Sequence, residues 1–371
     1  MNSNRVPKPR GISPRPVAFF AMQEISHFQR LQSIISGLTR SGVAVHVFTH
    51  RNLERRVESA GGVFFDLFSR YPLEYADDTS LPVPCRFVSF AAVYGRQICG
   101  DVEKIRASLV IQDGFAVIGR VVATVLEIPR VNICAGHNMD PTRFLALMQE
   151  DPRVKLSAKC LHAVEELRES YGMADASPFS YLSSLSTHLN IYCEPPEFLE
   201  KGERKVFEPV AFYGSLPSLE GGQGGTQGSR RWFGVSSARM LKVYVSFGTV
   251  IWRYYAVTAL SALNTLAAAL GRMENVQAVI SLGGTELTIE KLAALLRPNV
   301  SVESYVDQWE VLQEADVFFT HHGLNSTHEA IFHGVPMVSY PFFSGPTSIS
   351  GEVPAVRLGD PAHGFCARSF Q

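Results

Sequence analysis

Two short stretches of this 371-residue chain hold residues whose types and spacing suit chemistry. In VFFTHHGLNSTHEAIFHGVPMVSYPFF, residues 317–343, an apolar run ends at Thr320, a loop His321–Asn325 follows, and Ser326–Glu329 opens a helical pattern. The first N–H groups of a helix lack intrahelical partners and carry about half a positive charge. With His321 and small hydroxyls beside them, they make a receptor for a diphosphate. Plain capping explains the same residues: Ser326 and Glu329 are spaced as a capping box, and His321 then only ends a strand.

The second stretch is Ser26-His27-Phe28-Gln29, which follows the apolar run Val17–Ala21. Its S-x-x-Q spacing predicts another capping box, with His27 in the first helical turn. A positive helix terminus disfavours imidazolium, so His27 is expected to stay neutral and able to accept a proton. An alcohol is a poor nucleophile until its proton is leaving, and such a base suits transfer to a hydroxyl. Asp113, after the run Leu109–Gln112, can orient the imidazole and offset its charge. Taken alone, His27 reads better as a surface residue at a helix start. His46, His50, His328 and His333 are read as structural, and His322 as adjacent to the diphosphate loop without an assigned role.

These residues need a frame that sets strand ends against helix starts. Short β-rich runs alternate with helical patterns, which predicts parallel sheets with crossover helices. In the first half the strand candidates are Val17–Ala21, Val43–Thr49, Val63–Phe68, Leu109–Gln112 and Arg130–Cys134, with helices over His27–Thr39 and Phe115–Leu126. Asp140–Ser186 is mostly helical in pattern and irregular in spacing, as a variable substrate-side insertion would be. GSLPSLEGGQGGTQGS, Gly214–Ser229, has no core-forming pattern and reads as a flexible linker. The alternation restarts with strands at Lys242–Phe247, Val276–Ser281, Val300–Ser304, Val317–Thr320 and Pro336–Tyr340. Helices are expected near Ala256–Met273, Thr288–Leu296 and Asn325–His333. The expected organisation is a leader over 1–15, a domain over 16–213, a linker over 214–235, a second domain over 236–344 and an atypical tail over 345–371. Two Rossmann-like α/β domains facing across a cleft would bring two substrates together.

Composition excludes several classes. Hydrophobic residues make up 46% of the chain, enough for two buried cores and too many for a disordered chain. Lys+Arg 34 against Asp+Glu 35 leaves a net charge of −1, without the basic field of a nucleic-acid binder. The run Val17–Met22 is too short for a signal-peptide core or a membrane span. The six cysteines form no CxxC pair and read as reduced thiols of a cytoplasmic protein.

Residues 320–343 resemble the nucleotide-sugar motif of the UDP-glycosyltransferase family, especially its bacterial macrolide and plant secondary-metabolite members, whose pattern is H-x-G-x-N-S, then Glu, then G-V-P-M. The resemblance implies the two-domain GT-B fold. It also implies that His321 contacts the donor diphosphate, that Gly323, Asn325 and Ser326 line the phosphates, and that Glu329 holds the ribose. YVDQWEVL, residues 305–312, resembles the family's W-x-P-Q step. Tyr305, with Val306 beside it, would take the aromatic position against the base, and Gln308 would face the ribose; core packing is the competing account of Tyr305 and Trp309. YVSFGT, Tyr244–Thr249, resembles the turn whose Gly248 and Thr249 approach the diphosphate. The family's catalytic His follows the first strand, and its Asp lies in a D-x-F-like turn matched by Asp113-Gly114-Phe115. The implied reaction is inverting, needs no metal or further cofactor, and uses a UDP- or dTDP-sugar as donor and a lipophilic hydroxyl compound as acceptor. Two other classes stand beside it. One is a nucleotide-sugar epimerase, and the other a catalytically impaired nucleotide-sugar-binding relic or partner subunit.

The resemblance breaks after Phe343-Ser344, where the family has Asp-Gln to hold the sugar hydroxyls and this chain has Gly345-Pro346. Codons for Gly345–Pro361 can be chosen so that reading one base later gives DQPRSLAKCQRFGLAI, which begins with the missing pair. The tail is therefore expected to be out of frame, with the second domain incomplete.

Overall fold

The computed structural model describes residues 15–23, 25–74, 85–134, 140–150, 154–183, 185–199, 202–213, 231–234, 240–340 and 342. The expected leader up to residue 14, most of the expected linker and the tail over 345–371 lie outside these residues. The chain divides into two compact units, Met1–Ser218 and Leu219–Gln371.

The first unit begins with β1 (Val17–Phe20), α1 (Ile25–Arg40), β2 (Val45–Thr49), α2 (Glu54–Ser59), β3 (Val63–Asp66), α3 (Leu67–Arg70) and α4 (Cys85–Ile105). It continues with β4 (Leu109–Asp113), α5 (Val117–Val125), β5 (Arg130–Cys134), α6 (Pro141–Glu150), α7 (Ala158–Ser170), α8 (Ser180–Ser183), β6 (Leu189–Tyr192) and β7 (Val210–Phe212). The strands form one parallel sheet in the order β3-β2-β1-β4-β5-β6-β7. Helices cover both faces, so β1 is apolar at every position. Its alternate residues feed two cores. Val17 and Phe19 pack with Phe28, Leu31 and Ile35 of α1, and Ala18 and Phe20 pack with residues of α4, α5 and α7.

The second unit holds β8 (Leu241–Ser246), α9 (Val250–Leu270), β9 (Val276–Ser281), α10 (Ile289–Leu295) and β10 (Val300–Glu303). After these come α11 (Gln308–Leu312), β11 (Val317–Thr320), α12 (Leu324–Phe332) and β12 (Met337–Ser339). Its sheet is again parallel, in the order β10-β9-β8-β11-β12. Val243 and Val245 face a core built with α9 and α10, and Tyr244 faces Phe318, Val311 and Ala330 on the other side.

Both units are therefore doubly wound α/β structures, as the alternation predicts. Several boundaries move. Leu67 and Phe68 leave the expected third strand for α3, because Asp66 caps a helical turn there by accepting from the Ser69 N–H at 3.1 Å. α9 starts at Val250, six residues ahead of the expected Ala256, and bends at Tyr255, whose φ of −134° is not helical. The pattern gave no sign of α4. Its first half is buried nearly all round, Arg86 and Ser89 included, so no polar stripe marks a helical period. Among the described residues no helix is long and apolar enough to cross a membrane. The five described cysteines are buried.

Candidate active site

In the first sheet β1 has β2 on one side and β4 on the other, so the crossovers leave it in opposite directions. The two crossovers part there and leave a crevice beyond the carboxyl ends of β1 and β4. α1 follows β1 and enters this crevice with His27 in its first turn, and Asp113 is the last residue of β4. The imidazole Nδ1 lies 3.1 Å from Oδ1 and 3.2 Å from Oδ2 of Asp113. A carboxylate only accepts, so Nδ1 is assigned the proton and Nε2 is left as the acceptor nitrogen. Asp113 is 1% exposed and His27 18%, which keeps the carboxylate from water while the imidazole stays reachable. α1 begins at Ile25, so Ser26 lies within the helix, and the capping box expected at its side chain lies outside what the structure describes. His27 keeps its place in the first turn because the helix starts earlier. Arg30, one turn on, is buried and donates to the Cys193 carbonyl at 3.3 Å, which ties α1 to the end of β6.

The second sheet has its own switch point between β8 and β11. Three strand ends there repeat one device. The Ser246 hydroxyl ends β8 and accepts from the Gly248 N–H at 3.2 Å; Ser281 ends β9 and accepts from the Gly283 N–H at 3.3 Å. Thr320 ends β11 and accepts from the His322 N–H at 3.2 Å. Each is a hydroxyl-closed turn two residues long. Each also puts its third residue at positive φ, 70° at Gly248, 60° at Gly283 and 58° at His322. The Ser246 and Ser281 hydroxyls both hydrogen-bond Tyr244, whose phenol is pushed far above its usual range by burial. The Thr327 hydroxyl lies 3.4 Å from Nδ1 of His322.

These turns close around His321. A Cβ on Gly248 would stand 2.7 Å from the imidazole Cε1, and one on Gly323 would stand 2.4 Å from Nε2. Real side chains do not pack that closely, so the ring fits between two backbones only because both positions are glycine. A Cβ on Gly283 would meet the Gly248 carbonyl oxygen at 2.3 Å, so the turn after β9 in turn props the turn after β8.

A second group assembles on the neighbouring helices. Nε2 of Gln308 donates to Glu329 at 2.7 Å, and the Ser326 hydroxyl donates to Oε1 of the same amide at 3.2 Å. The capping account of Ser326 and Glu329 is thereby overturned. α12 starts at Leu324 with Gly323 as its N-cap and no side-chain cap bond, so both residues lie inside the helix and turn toward Gln308. Asn325 is half-buried in the first turn, and Thr249 is exposed at the start of α9. Tyr305 is 65% exposed, which removes core packing as its account. Trp309 instead packs on Phe332 and His333, with centroids 4.9 and 4.5 Å away. The Val306 side chain is buried in the core, so only its backbone faces outward.

Ser281, Gly283 and Thr320 were not singled out from sequence. The available signal was a Ser or Thr two residues before a glycine at the end of an apolar run, as in S-L-G at 281–283. Among the described residues no cluster of three or more His, Cys, Asp or Glu side chains is placed to hold a metal ion.

Comparison with known proteins bears on the family and the fold. Residues 230–349 match the family model described as UDP-glucoronosyl and UDP-glucosyl transferase. A UDP-glucosyltransferase of Bacillus subtilis strain 168, YdhE, itself called uncharacterized, is 25% identical over 334 residues, covering 85% of this chain and 77% of that protein. Among solved structures, the glycotransferase of kitacinnamycin superposes with a TM-score of 0.64 at 21% identity, over 91% of this chain and 82% of that one. CalG4, the calicheamicin glycosyltransferase, gives a TM-score of 0.61 at 21% identity over the same shares. Those two likenesses establish the fold, the GT-B pairing of parallel-sheet units.

Proposed function

We propose that this chain is a UDP-glycosyltransferase that moves a sugar from a nucleoside-diphosphate donor to a hydroxyl of a lipophilic small molecule, with inversion at the anomeric carbon. The observation that carries this reading is the contact of His27 with Asp113 at the switch point of the first sheet. An acceptor hydroxyl hydrogen-bonded to Nε2 loses its proton as its oxygen attacks the anomeric carbon, and the sugar–phosphate bond breaks from the opposite face. Asp113 keeps Nε2 in the accepting tautomer and balances the imidazolium that forms.

The second unit supplies the donor half. His321 and the N–H groups of the first turn of α12 receive the diphosphate, with Gly248, Thr249, Gly323 and Asn325 around it, while the Ser326 hydroxyl turns to Gln308. As the diphosphate departs, the helix terminus and His321 take up its charge, so the reading calls for no metal. Glu329 is held by Gln308, and together they present an acceptor and an amide to the ribose hydroxyls. Tyr305 and the Val306 backbone offer the base a flat, accessible face. The fold-mates named for kitacinnamycin and calicheamicin support an acceptor of natural-product type. An epimerase would need no base paired to a carboxylate in the first unit.

A second reading, donor binding without turnover, is favoured by Gly345-Pro346 standing where the family pattern has Asp-Gln. One experiment separates the two. UDP-glucose and dTDP-glucose are titrated by calorimetry, and each is then incubated with a panel of phenolic and macrolide acceptors and read by mass spectrometry. Glycosylated product that disappears in His27→Ala, with donor binding retained, supports the transferase. Donor binding with no product from any acceptor supports the second reading, and no binding of either donor refutes both.

A further inference from the structure

A contact beside the proposed base takes no part in proton transfer. The Phe115 ring lies against the His27 imidazole, with centroids 4.3 Å apart and planes tilted by 36°. The ring is itself fixed. Phe87, fully buried on α4, packs on it at 5.7 Å, and Tyr181 meets it edge-on at 5.4 Å and 82°.

Phe115 reaches this place through the turn that ends β4. The Gly114 N–H donates to the Ile133 carbonyl at 3.1 Å, Ala116 N–H to Asp113 at 2.8 Å, and Val117 N–H to Phe115 at 2.9 Å. The carboxylate and the aromatic ring are thus two residues apart on one braced turn. They approach the imidazole from different sides, Asp113 at Nδ1 and Phe115 on a face.

The division of labour follows from the distances. Both Asp113 oxygens sit nearly equidistant from Nδ1, at 3.1 and 3.2 Å, so rotation of the imidazole about that axis costs the hydrogen bond little. A ring packed on one face opposes that rotation and keeps water off the face. We propose that Phe115 is a positioning residue for His27, fixing the imidazole plane and with it the direction in which Nε2 meets the acceptor. The proposal rests on the reading of His27 as the base.

The test has one arm that needs no turnover. The full chain is treated with diethyl pyrocarbonate, and acylation at each histidine is followed by peptide mass spectrometry. Exposed His162 serves as the reference and half-buried His46 as a sentinel for loosening of the fold. Phe115→Leu is expected to raise the rate at His27 roughly three- to tenfold and to leave His46 and His162 unchanged, and Phe115→Tyr to return it to within about twofold of the parent. An unchanged His27 rate in Phe115→Leu overturns the proposal. So does a rise at His46 to match, which would make Phe115 an ordinary core residue.

The second arm uses UDP-glucose with 2-naphthol and with 2-naphthalenethiol near neutral pH, where the thiol is largely ionised and needs no base. Phe115→Leu is expected to slow transfer to the naphthol roughly tenfold and spare the thiol, with donor affinity unchanged. Equal loss on both acceptors overturns the positioning role. Retention of naphthol transfer in His27→Ala instead overturns the base assignment, and the acylation result then still reports whether Phe115 fixes the imidazole.

Discussion

The two units repeat one strand order, β3-β2-β1-β4-β5 and β10-β9-β8-β11-β12, and build different chemistry at the same place in it. In the first sheet the crevice is furnished by side chains, His27 and Asp113, brought from an early helical turn and a strand end. In the second it is furnished mostly by backbone. Hydroxyl-closed turns at Ser246, Ser281 and Thr320 shape the strand ends, and glycines at 248 and 323 admit the His321 ring. Topology supplies the crevice twice; residue volume decides what it can hold. A proton acceptor needs a charge partner and shelter, whereas a diphosphate needs many donors and little bulk. The first site should thus be sensitive to the chemical identity of its side chains, and the second to the addition of a single methyl group.

The largest effect expected under this contrast is at the side-chain site. His27→Ala removes the proposed base, and Asp113→Asn replaces one of the two acceptor oxygens at Nδ1 with an amide donor, which favours the wrong tautomer. Each is expected to lower kcat by about a hundred- to ten-thousandfold with donor affinity within about twofold of the parent. Steady-state kinetics with UDP-glucose and calorimetry on the same samples check both halves. Equal loss of donor binding would erase the distinction between the units.

Next comes added bulk at the backbone site. Gly323→Ala puts a methyl 2.4 Å from Nε2 of His321, so the ring or the turn must move. Overpacking of this kind costs about 1–3 kcal/mol, which predicts a roughly five- to 150-fold weaker donor affinity measured by calorimetry. His27 acylation should not change. Unaltered donor affinity would show that the His321 position does not matter to the diphosphate.

Gly283→Ala is expected to act at one remove. Its Cβ meets the Gly248 carbonyl oxygen at 2.3 Å, and its φ of 60° strains any L side chain. About 1–2 kcal/mol of strain is expected, read as a lower unfolding midpoint of the second unit together with roughly tenfold weaker donor binding. Loss of stability without loss of binding would make the Gly283 turn a packing element only.

The same contrast explains what was legible in the sequence. The sheets were, because strands covered on both faces are written as apolar runs, as in VAFF and VFFT. The pairing of His27 with Asp113 was readable because both follow apolar runs that end on one sheet edge. α4 was hidden by burial on every side, and β6 and β7 by their brevity. The capping pattern at Ser326 misleads for one reason. S-x-x-E is a local pattern, and α12 begins three residues earlier than an N-cap at Ser326 implies, which leaves Ser326 to turn toward Gln308. The glycine cradle was the least visible, since a positive φ or a close approach is a property of neighbours distant in sequence. Gly283 and Gly248 lie on different loops, and nothing in either loop names the other.

The smallest effect is expected where a side chain serves the backbone-rich site. Ser326 donates to Oε1 of Gln308 at 3.2 Å, and the same amide donates to Glu329 at 2.7 Å, so the acceptor-only carboxylate sets which way the amide faces and the hydroxyl steadies it. Ser326→Ala removes the steadying bond and leaves the amide held by Glu329 alone. One hydrogen bond of this kind is worth about 0.5–1.5 kcal/mol, a roughly two- to tenfold change. The loss should fall on nucleoside-diphosphate affinity and not on inorganic diphosphate, because Gln308 and Glu329 are assigned to the ribose. Competition by UDP and by inorganic diphosphate against a labelled donor distinguishes the two. Equal weakening of both would move Ser326 to the phosphate side of the site, and the second unit would then read its donor through α12 alone.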